Sequence, residues 1–147
     1  MDTFTTPRAT TAACSHCHTL NRIGGGDPAQ AHCGHCGKPV FEGHPVELDE
    51  AAFDRHARAD TPLVVDFWAP WCGPCRMMAP IYQQAAAQLE PGFRLAKVNT
   101  DEQQSLAGRF AIRSIPTLAI FKNGREVARQ AGAMELSRFL AWVRAHA

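Results

Sequence analysis

The sequence predicts one α/β domain preceded by a small cysteine-rich unit. From residue 46 onward, strand-like and helix-like segments alternate, which is the pattern of an α/β fold. Residues 14–41 instead contain many glycines and few aliphatic side chains, so burial alone cannot hold this segment together. A chain of 147 residues has room for one domain of common size and an appendage of about 40 residues.

The elements of the α/β segment follow the order β-α-β-α-β-α-β-β-α. The apolar run at 63–68 contains a single carboxylate and predicts a central strand that is covered on both faces. It is preceded by a short strand at 46–48 and a helix that Asp49 caps and that ends near 59. The later elements are a helix to 89 with a kink at Pro80, a strand at 94–99, a helix at 103–110, strands at 117–121 and 126–131 around an Asn-Gly turn, and a helix at 135–145.

Composition and charge exclude several classes of protein. Hydrophobic residues make up 46% of the chain, yet no apolar run approaches the roughly 18 residues of a membrane span, so no membrane role is expected. Residues 1–13 lack a secretion signal, and a cytoplasmic location is the expectation. The net charge is +1, and residues 1–48 carry three Lys or Arg against four Asp or Glu. Nucleic-acid binding, which needs clustered positive charge, is therefore not expected.

Six cysteines form three C-x2-C pairs, which in a cytosolic chain indicate metal or redox chemistry. Two pairs are separated by 15 residues, the spacing with which two turns bind one tetrahedral zinc ion. The predicted ligands are Cys14, Cys17, Cys33 and Cys36. A bound ion would also supply the folding free energy that this segment cannot gain by burial. The alternatives are one or two disulfides, or substitution of a thiolate by His16, His18, His32 or His35.

The third pair, Cys72 and Cys75, lies where the central strand is predicted to lead into a helix. The unpaired amides and positive dipole end of a helix start favour a thiolate, which lowers a cysteine pKa from its usual value of about 8.5. A thiolate attacks disulfides, so Cys72 is the predicted nucleophile. Cys75, one turn further, is placed to resolve the mixed disulfide that Cys72 forms.

The run at 68–75, WAPWCGPC, resembles the active-site signature of thioredoxins, and the similarity extends over about 48–147. Further matching motifs are VDF at 65–67, KVN at 97–99, IPT at 115–117 and FKNG at 121–124. The resemblance implies the thioredoxin fold, a central mixed sheet flanked by helices. It also implies reduction of protein disulfides and recharging by an NADPH-dependent thioredoxin reductase, with no organic cofactor bound.

The bacterial subgroup usually called thioredoxin 2 resembles the chain over nearly its whole length, because its signature includes an N-terminal double C-x2-C. The predicted organisation is a flexible tail at 1–13, a zinc ribbon at 14–41 and a thioredoxin domain at 42–147.

The resemblance implies further site residues. Asp66 is the lone carboxylate of the central strand, and burial raises the pKa of such a group. It is interpreted as the proton acceptor and donor for Cys75, or else as a satisfied core carboxylate. Lys97, on a neighbouring strand, either pairs with Asp66 or is a surface lysine.

The substrate side of the predicted site is apolar. The resemblance implies a cis Ile115–Pro116 bond that faces the dithiol, the alternative being a trans proline at a strand entry. The Ile115 backbone would then pair with an extended substrate, beside a surface formed by Trp71, Gly132 and Ala133.

Three functions remain open at this level. The leading one is a monomeric enzyme that reduces protein disulfides and whose zinc ribbon is structural or redox-modulating. A net oxidase or isomerase of the same fold is disfavoured by the Gly73-Pro74 dipeptide, since oxidising relatives usually carry a histidine there. The third is a zinc-linked holdase or protein-docking module with secondary redox activity. The expected partners are thioredoxin reductase and disulfide-containing proteins.

Overall fold

The computed structural model describes residues 10–146 and contains two sheets. The strands are β1 (Thr10–Ala13), β2 (Leu20–Ile23), β3 (Val46–Glu47), β4 (Leu63–Trp68), β5 (Arg94–Asn99), β6 (Thr117–Lys122) and β7 (Arg125–Ala131). The helices are α1 (Glu50–Arg58), α2 (Gly73–Leu89), α3 (Gln104–Arg109) and α4 (Leu136–Ala145). Every helix within residues 10–146 is too short or too polar to cross a membrane. From β3 onward the order is the predicted one.

The central sheet has the strand order β3-β5-β4-β6-β7. Strands β3, β5 and β4 run parallel, β6 pairs antiparallel with β4, and β7 pairs antiparallel with β6. The turn between β6 and β7 places Asn123 and Gly124 at φ 51° and 80°, the left-handed conformations that the Asn-Gly pair adopts most readily. The mixed α/β sheet expected from the sequence is therefore confirmed.

Strand β4 is buried on both faces, as its apolar run predicts. Successive side chains of a strand point to opposite faces, and Val64 and Val65 enter two different hydrophobic clusters. The Val64 cluster is covered by α2 and α4, and the Val65 cluster by α1 and α3. Asp66, which follows, consequently faces α2.

Local signals set the starts of α1 and α2. The Asp49 carboxylate accepts a hydrogen bond from the Ala52 amide at 2.8 Å and caps α1 as predicted. Leu48 and Phe53, which flank this cap in sequence, are buried in one cluster. Helix α2 continues through Pro80, so the expected kink stays a prediction.

The first residues described differ from the expectation. The sequence assigns residues 10–13 to a flexible tail, whereas they form β1 and pair with β2 from Thr10↔Ile23 to Ala13↔Leu20. The strand escaped prediction because four residues are too few to show periodicity and because its other contacts come from the distant domain. The rest of the predicted tail lies outside the described residues, and the boundary at 41/42 stays a prediction.

Residues 10–41, called the ribbon below, dock against the end of the sheet where β4 and β5 begin. Thr11 and Asp60 exchange two hydrogen bonds, of 2.8 Å and 3.1 Å, just before β4. On the flank, His18 Nδ1 lies 3.1 Å from Nε2 of the buried His56 of α1. Because Cys72 follows the other end of β4, the ribbon and the dithiol are separated by about 16 Å of strand.

Arg94, the first residue of β5, is the buried polar link between the ribbon and the sheet. Its Nη2 donates to the carbonyl oxygens of Ala13 at 2.7 Å and Val40 at 2.6 Å. Its Nη1 pairs with the buried Glu90 carboxylate at 3.1 Å. The guanidinium carbon lies 4.4 Å from the centroid of the Phe41 ring. One side chain therefore satisfies backbone acceptors of the ribbon and a carboxylate of the domain.

Replacing Arg94 by methionine should lower the free energy of unfolding by about 3 kcal/mol or more, because the Glu90 carboxylate would stay buried without its partner. Urea denaturation followed by circular dichroism measures this loss. The matched control is Arg109→Met, since Arg109 pairs with Asp54 at an exposed position and should cost within about 1 kcal/mol. Equal losses in the two variants would contradict the assigned role of Arg94.

Candidate redox site and metal site

Cys72 and Cys75 are joined by a disulfide at the start of α2. Cys72 is the N-cap residue, and its Sγ accepts a hydrogen bond from the Cys75 amide at 3.2 Å. That amide belongs to the unpaired donors of a helix start, so it would stabilise negative charge on Cys72 after reduction. The two residues are only 4% and 2% exposed, and position rather than exposure distinguishes them.

The Ile115–Pro116 peptide is cis and lies beside the dithiol. The Ile115 carbonyl oxygen is 3.6 Å from Cys72 Sγ, and Ile115 packs against the buried cluster that contains both cysteines. The Gly132 amide donates to the Pro116 carbonyl at 2.9 Å, with Gly132 at φ 95°, a conformation that favours glycine. The structure thus brings three of the residues that the sequence placed at the substrate side, Ile115, Pro116 and Gly132, together near Cys72.

Trp71 is the large exposed side chain of the site, 68% accessible next to Cys72. Its indole Nε1 donates to the Asp101 carboxylate at 3.0 Å, which orients the ring. Asp101 was not predicted, because it follows β5 and nothing in the sequence near Trp71 points to it. Its position after a parallel strand neighbouring β4 was the available signal. Between the cysteines, a Cβ atom at Gly73 would meet no atom within 4 Å, so packing does not require glycine there.

Asp66 is fully buried, and neither carboxylate oxygen has a hydrogen-bond partner within residues 10–146. Burial raises the pKa of Asp66 to about 7, against a smaller lowering by Lys97 and a further rise from Glu47. Desolvation therefore holds this carboxyl where it can take up and release a proton near neutral pH.

The position of Cys75 relative to Asp66 follows from the way in which α2 is anchored on the sheet. The Tyr82 hydroxyl lies 2.9 Å from the Val64 carbonyl oxygen and 2.7 Å from that of Ala96, which anchors α2 across β4 and β5. Cys75 precedes Tyr82 by two turns, or about 10 Å along the helix. The helix runs antiparallel to β4, so going back from Tyr82 to Cys75 along α2 corresponds to going forward about three residues from Val64 along β4. That stretch of β4 includes Asp66.

Lys97 and Asp66 are register partners on β5 and β4, and parallel partners project to the same face. No ion pair joins them among the described residues. The Lys97 ammonium lies instead 4.3 Å from the centroid of the Trp68 ring. Of the two alternatives left open for Lys97, the pairing with Asp66 is therefore not formed, because Trp68 follows Asp66 on the same face and the lysine stem is long enough to reach the indole.

The four remaining cysteines converge in the ribbon, where all four Sγ atoms lie within 4.8 Å of one another. Cys14 and Cys36 are 3.7 Å apart, and Cys17 and Cys33 are 3.6 Å apart. A tetrahedral ion with zinc–sulfur bonds of about 2.3 Å would separate its sulfurs by about 3.8 Å. The four thiols are free of disulfides, so the alternative of bridges among them is not what the structure shows.

Hydrogen-bond donors around Cys33 favour the thiolate form that binds metals. The Cys36 amide and the Asn21 side-chain amide, at 3.5 Å and 3.4 Å, lower the pKa of Cys33 to about 6. The candidate ligand group contains cysteines alone. His16, whose ring contacts Glu42 at 2.7 Å, and His32, whose ring contacts the Gln30 carbonyl at 3.1 Å, do not belong to that group.

The two cysteine turns are equivalent in backbone. The Gly37 amide donates to the Cys33 carbonyl at 2.9 Å, and the His18 amide donates to the Cys14 carbonyl at 3.0 Å. Both Gly37 and His18 have positive φ, 79° and 63°. Histidine adopts this conformation less readily than glycine, and here its ring contacts the His56 ring.

Comparison with known proteins identifies the family. The family model described as thioredoxin matches residues 44–145. The chain belongs to the thioredoxin family. Thioredoxin C-3 of Corynebacterium nephridii is 37% identical over 132 residues, 88% of this chain and 90% of that protein. The thioredoxin of Haemophilus influenzae is 41% identical over 102 residues, 69% of this chain and 95% of that protein.

Solved structures agree with this assignment. The crystal structure of Malassezia sympodialis thioredoxin superposes with a TM-score of 0.67 at 32% identity, covering 76% of this chain and 98% of that one. The protein is therefore a thioredoxin-type protein-disulfide oxidoreductase with a thioredoxin fold. The alignment with thioredoxin C-3 covers 88% of this chain, whereas residues from 44 onward make up less than three quarters of it. The alignment therefore extends into the ribbon.

Asp66→Asn should stabilise this thioredoxin at high pH. The folded-state pKa of about 7 lies above the ordinary 3.8, so the folded state loses stability as the pH rises through this interval. Urea unfolding should show a gain of up to about 4 kcal/mol over wild type at pH 8, shrinking toward zero at pH 4. Asp54→Asn, at an exposed carboxylate paired with Arg109, should give no such gain. A pH-independent difference for Asp66→Asn would contradict the raised pKa.

Proposed function

We propose that this thioredoxin reduces protein disulfides, with Cys72 as nucleophile and Cys75 as resolving thiol. The observation that carries the proposal is the position of Cys72 as N-cap of α2, with its sulfur on the Cys75 amide and beside the Ile115 carbonyl. Cys75 lies one turn further along α2, the helix that covers the face of β4 on which the buried Asp66 lies. The two cysteines have similar exposure. The assignment of roles is therefore supported by this difference in position and not by accessibility.

The reaction proceeds in two exchanges. The Cys72 thiolate attacks one sulfur of the substrate disulfide, and the other substrate sulfur leaves as a thiolate that takes a proton from solvent. The Cys75 thiol then gives its proton to Asp66 and attacks the Cys72 sulfur. The bond between Cys72 and the substrate breaks, and the substrate leaves with both sulfurs reduced. Two electrons have passed from the dithiol to the substrate, and the Cys72–Cys75 disulfide remains.

Recharging requires two electrons from outside the chain. We assign this step to an NADPH-dependent thioredoxin reductase, as the family resemblance implies, with no organic cofactor held by the chain itself. Both the reductase and the substrate would use the apolar surface around Trp71, Ile115, Gly132 and Ala133. An extended segment there would meet the Ile115 backbone, which gives affinity without selecting a particular sequence. A reducing cytoplasmic location and a monomeric state are part of the proposal.

The four ribbon thiolates are proposed to hold one zinc ion, as in bacterial thioredoxin 2. The sulfur spacing of 3.6 Å and 3.7 Å, the free thiols and the donors to Cys33 support this choice. Four protein ligands close the coordination sphere, which suits a structural or redox-modulating ion rather than a catalytic one. Docking at the far end of the sheet also separates the ion from the dithiol.

Insulin reduction coupled to NADPH oxidation by thioredoxin reductase tests the dithiol assignment. Wild type should be active and Cys72→Ser inactive, because the attacking sulfur is gone. Cys75→Ser is the matched variant and should stop after one exchange, leaving a mixed disulfide at Cys72 that mass spectrometry detects. A trapped adduct in Cys72→Ser instead would reverse the roles. An inactive, folded wild type would favour the ribbon-centred holdase or docking function.

Metal analysis of the purified chain should find one zinc ion per molecule. Removal of the ion by a chelator should lower the urea midpoint, because coordination stabilises a ribbon with a small core. Cys36→Ser should lose most of the zinc, whereas His35→Ser, a change at the neighbouring position outside the ligand group, should retain it. Retention of full zinc content by Cys36→Ser would contradict the four-thiolate site.

A further inference from the structure

Three charged side chains form a row across the central sheet beneath α2. Register pairs Glu47 of β3 with Lys97 of β5, and Lys97 with Asp66 of β4. Parallel register partners project to the same face, and this face is the one that α2 covers. Lys97 therefore has one carboxyl group on either side, the buried Asp66 toward the sheet centre and the exposed Glu47 at the sheet edge.

The Lys97 ammonium forms no ion pair with Asp66 among the described residues. It lies over the Trp68 ring, and both Asp66 oxygens are without a hydrogen-bond partner in the part of the chain that the structure describes. A lysine next to a buried carboxylate would normally be drawn to it, because the attraction is strongest where water is excluded. The row contains a second anion, Glu47, and the charge of Lys97 acts to lower its pKa, so Glu47 attracts the same ammonium from the solvent side although no ion pair joins the two among the described residues.

The other groups that face Asp66 carry no charge at neutral pH in the oxidised protein. From α2, Tyr82 has a pKa raised well above its ordinary value by burial, and Cys75 is held in the disulfide. The β6 register partner of Asp66 is apolar. Lys97 and Glu47 are the charged neighbours that shift the pKa of Asp66, in opposite directions, after the dominant effect of burial. Glu102 acts on Glu47 rather than on Asp66.

We propose that Glu47 is a positioning residue for the dithiol chemistry, because its carboxylate holds the Lys97 ammonium away from Asp66 and so keeps Asp66 able to accept and return a proton near neutral pH. The proposal rests on the proposed role of Asp66 as the proton acceptor for Cys75. Direct repulsion between the Glu47 and Asp66 carboxylates acts in the same direction. Loss of either effect would lower the pKa of Asp66 and make its carboxylate a weaker base toward the Cys75 thiol.

Carboxyl ¹³C NMR of the oxidised, full-length chain tests this directly, with Asp66→Asn to identify the Asp66 resonance. In Glu47→Gln, the titration midpoint of Asp66 should fall by roughly half a pH unit, the size expected for one partly screened charge. Glu50→Gln is the matched control, since Glu50 lies on α1, against the opposite face of the sheet, and should leave the midpoint unchanged. An unchanged midpoint in Glu47→Gln would overturn the proposal.

A second variant separates repositioning of Lys97 from direct repulsion. Lys97→Met should raise the Asp66 midpoint, and adding Glu47→Gln to it should lower the midpoint by less than in wild type. An equal fall in both backgrounds would show that Glu47 does not act through Lys97 and would overturn the positioning role.

The pH profile of insulin reduction should move with the Asp66 midpoint in Glu47→Gln. A shifted midpoint with an unmoved profile would refute the link to dithiol chemistry. The NMR titration needs neither substrate nor reductase. A chain that shows the shift but does not reduce insulin would therefore contradict the proposed function and not the charge coupling.

Discussion

Burial of β4 on both faces is the constraint on which the rest of the structure depends. A strand covered by helices on both faces runs through the hydrophobic core. Reactive groups can therefore lie only at its two ends or on a polar side chain within it. One end leads into α2 and supplies Cys72 as the helix cap. The other end begins beside Thr61, whose amide donates to the Thr11 carbonyl of the ribbon. The dithiol and the four-cysteine cluster are thereby held apart.

The link that Arg94 makes between the ribbon and the α/β domain is electrostatic and buried. It is therefore sensitive to the loss of any partner of the Arg94 guanidinium. Arg94 satisfies Glu90 and two ribbon carbonyls at once, so the desolvation of its charge is compensated only while the ribbon is docked. A change in the four-thiol cluster would therefore reach the sheet through the ribbon backbone at Ala13 and Val40. It would alter stability before it altered contact with a substrate.

The single carboxylate inside β4 shows how function and stability oppose each other. Burial raises the pKa of Asp66 toward neutrality, and the same desolvation destabilises the folded chain whenever that group is ionised. Lys97 is close enough to relieve this cost, yet its ammonium lies on Trp68. The Asp66 carboxylate is therefore not neutralised by an ion pair, and its ionised form remains energetically costly. This suits a group that must exchange protons.

Sequence patterns predicted every element from β3 onward, the caps of α1 and α2, the Asn-Gly turn and the two kinds of cysteine pair, because each depends on residues within a turn or two of one another. The same reasoning missed β1, the Trp71–Asp101 bond and the Arg94 link, and it left the partner of Lys97 open. Each of these depends on contacts between groups that are distant in the chain, such as the Arg94 side chain and the Ala13 carbonyl, which are 81 positions apart. The sequence by itself thus determined the elements and the local chemistry of the cysteines. Only the tertiary structure decided which charges meet, because strand order and docking bring those groups together.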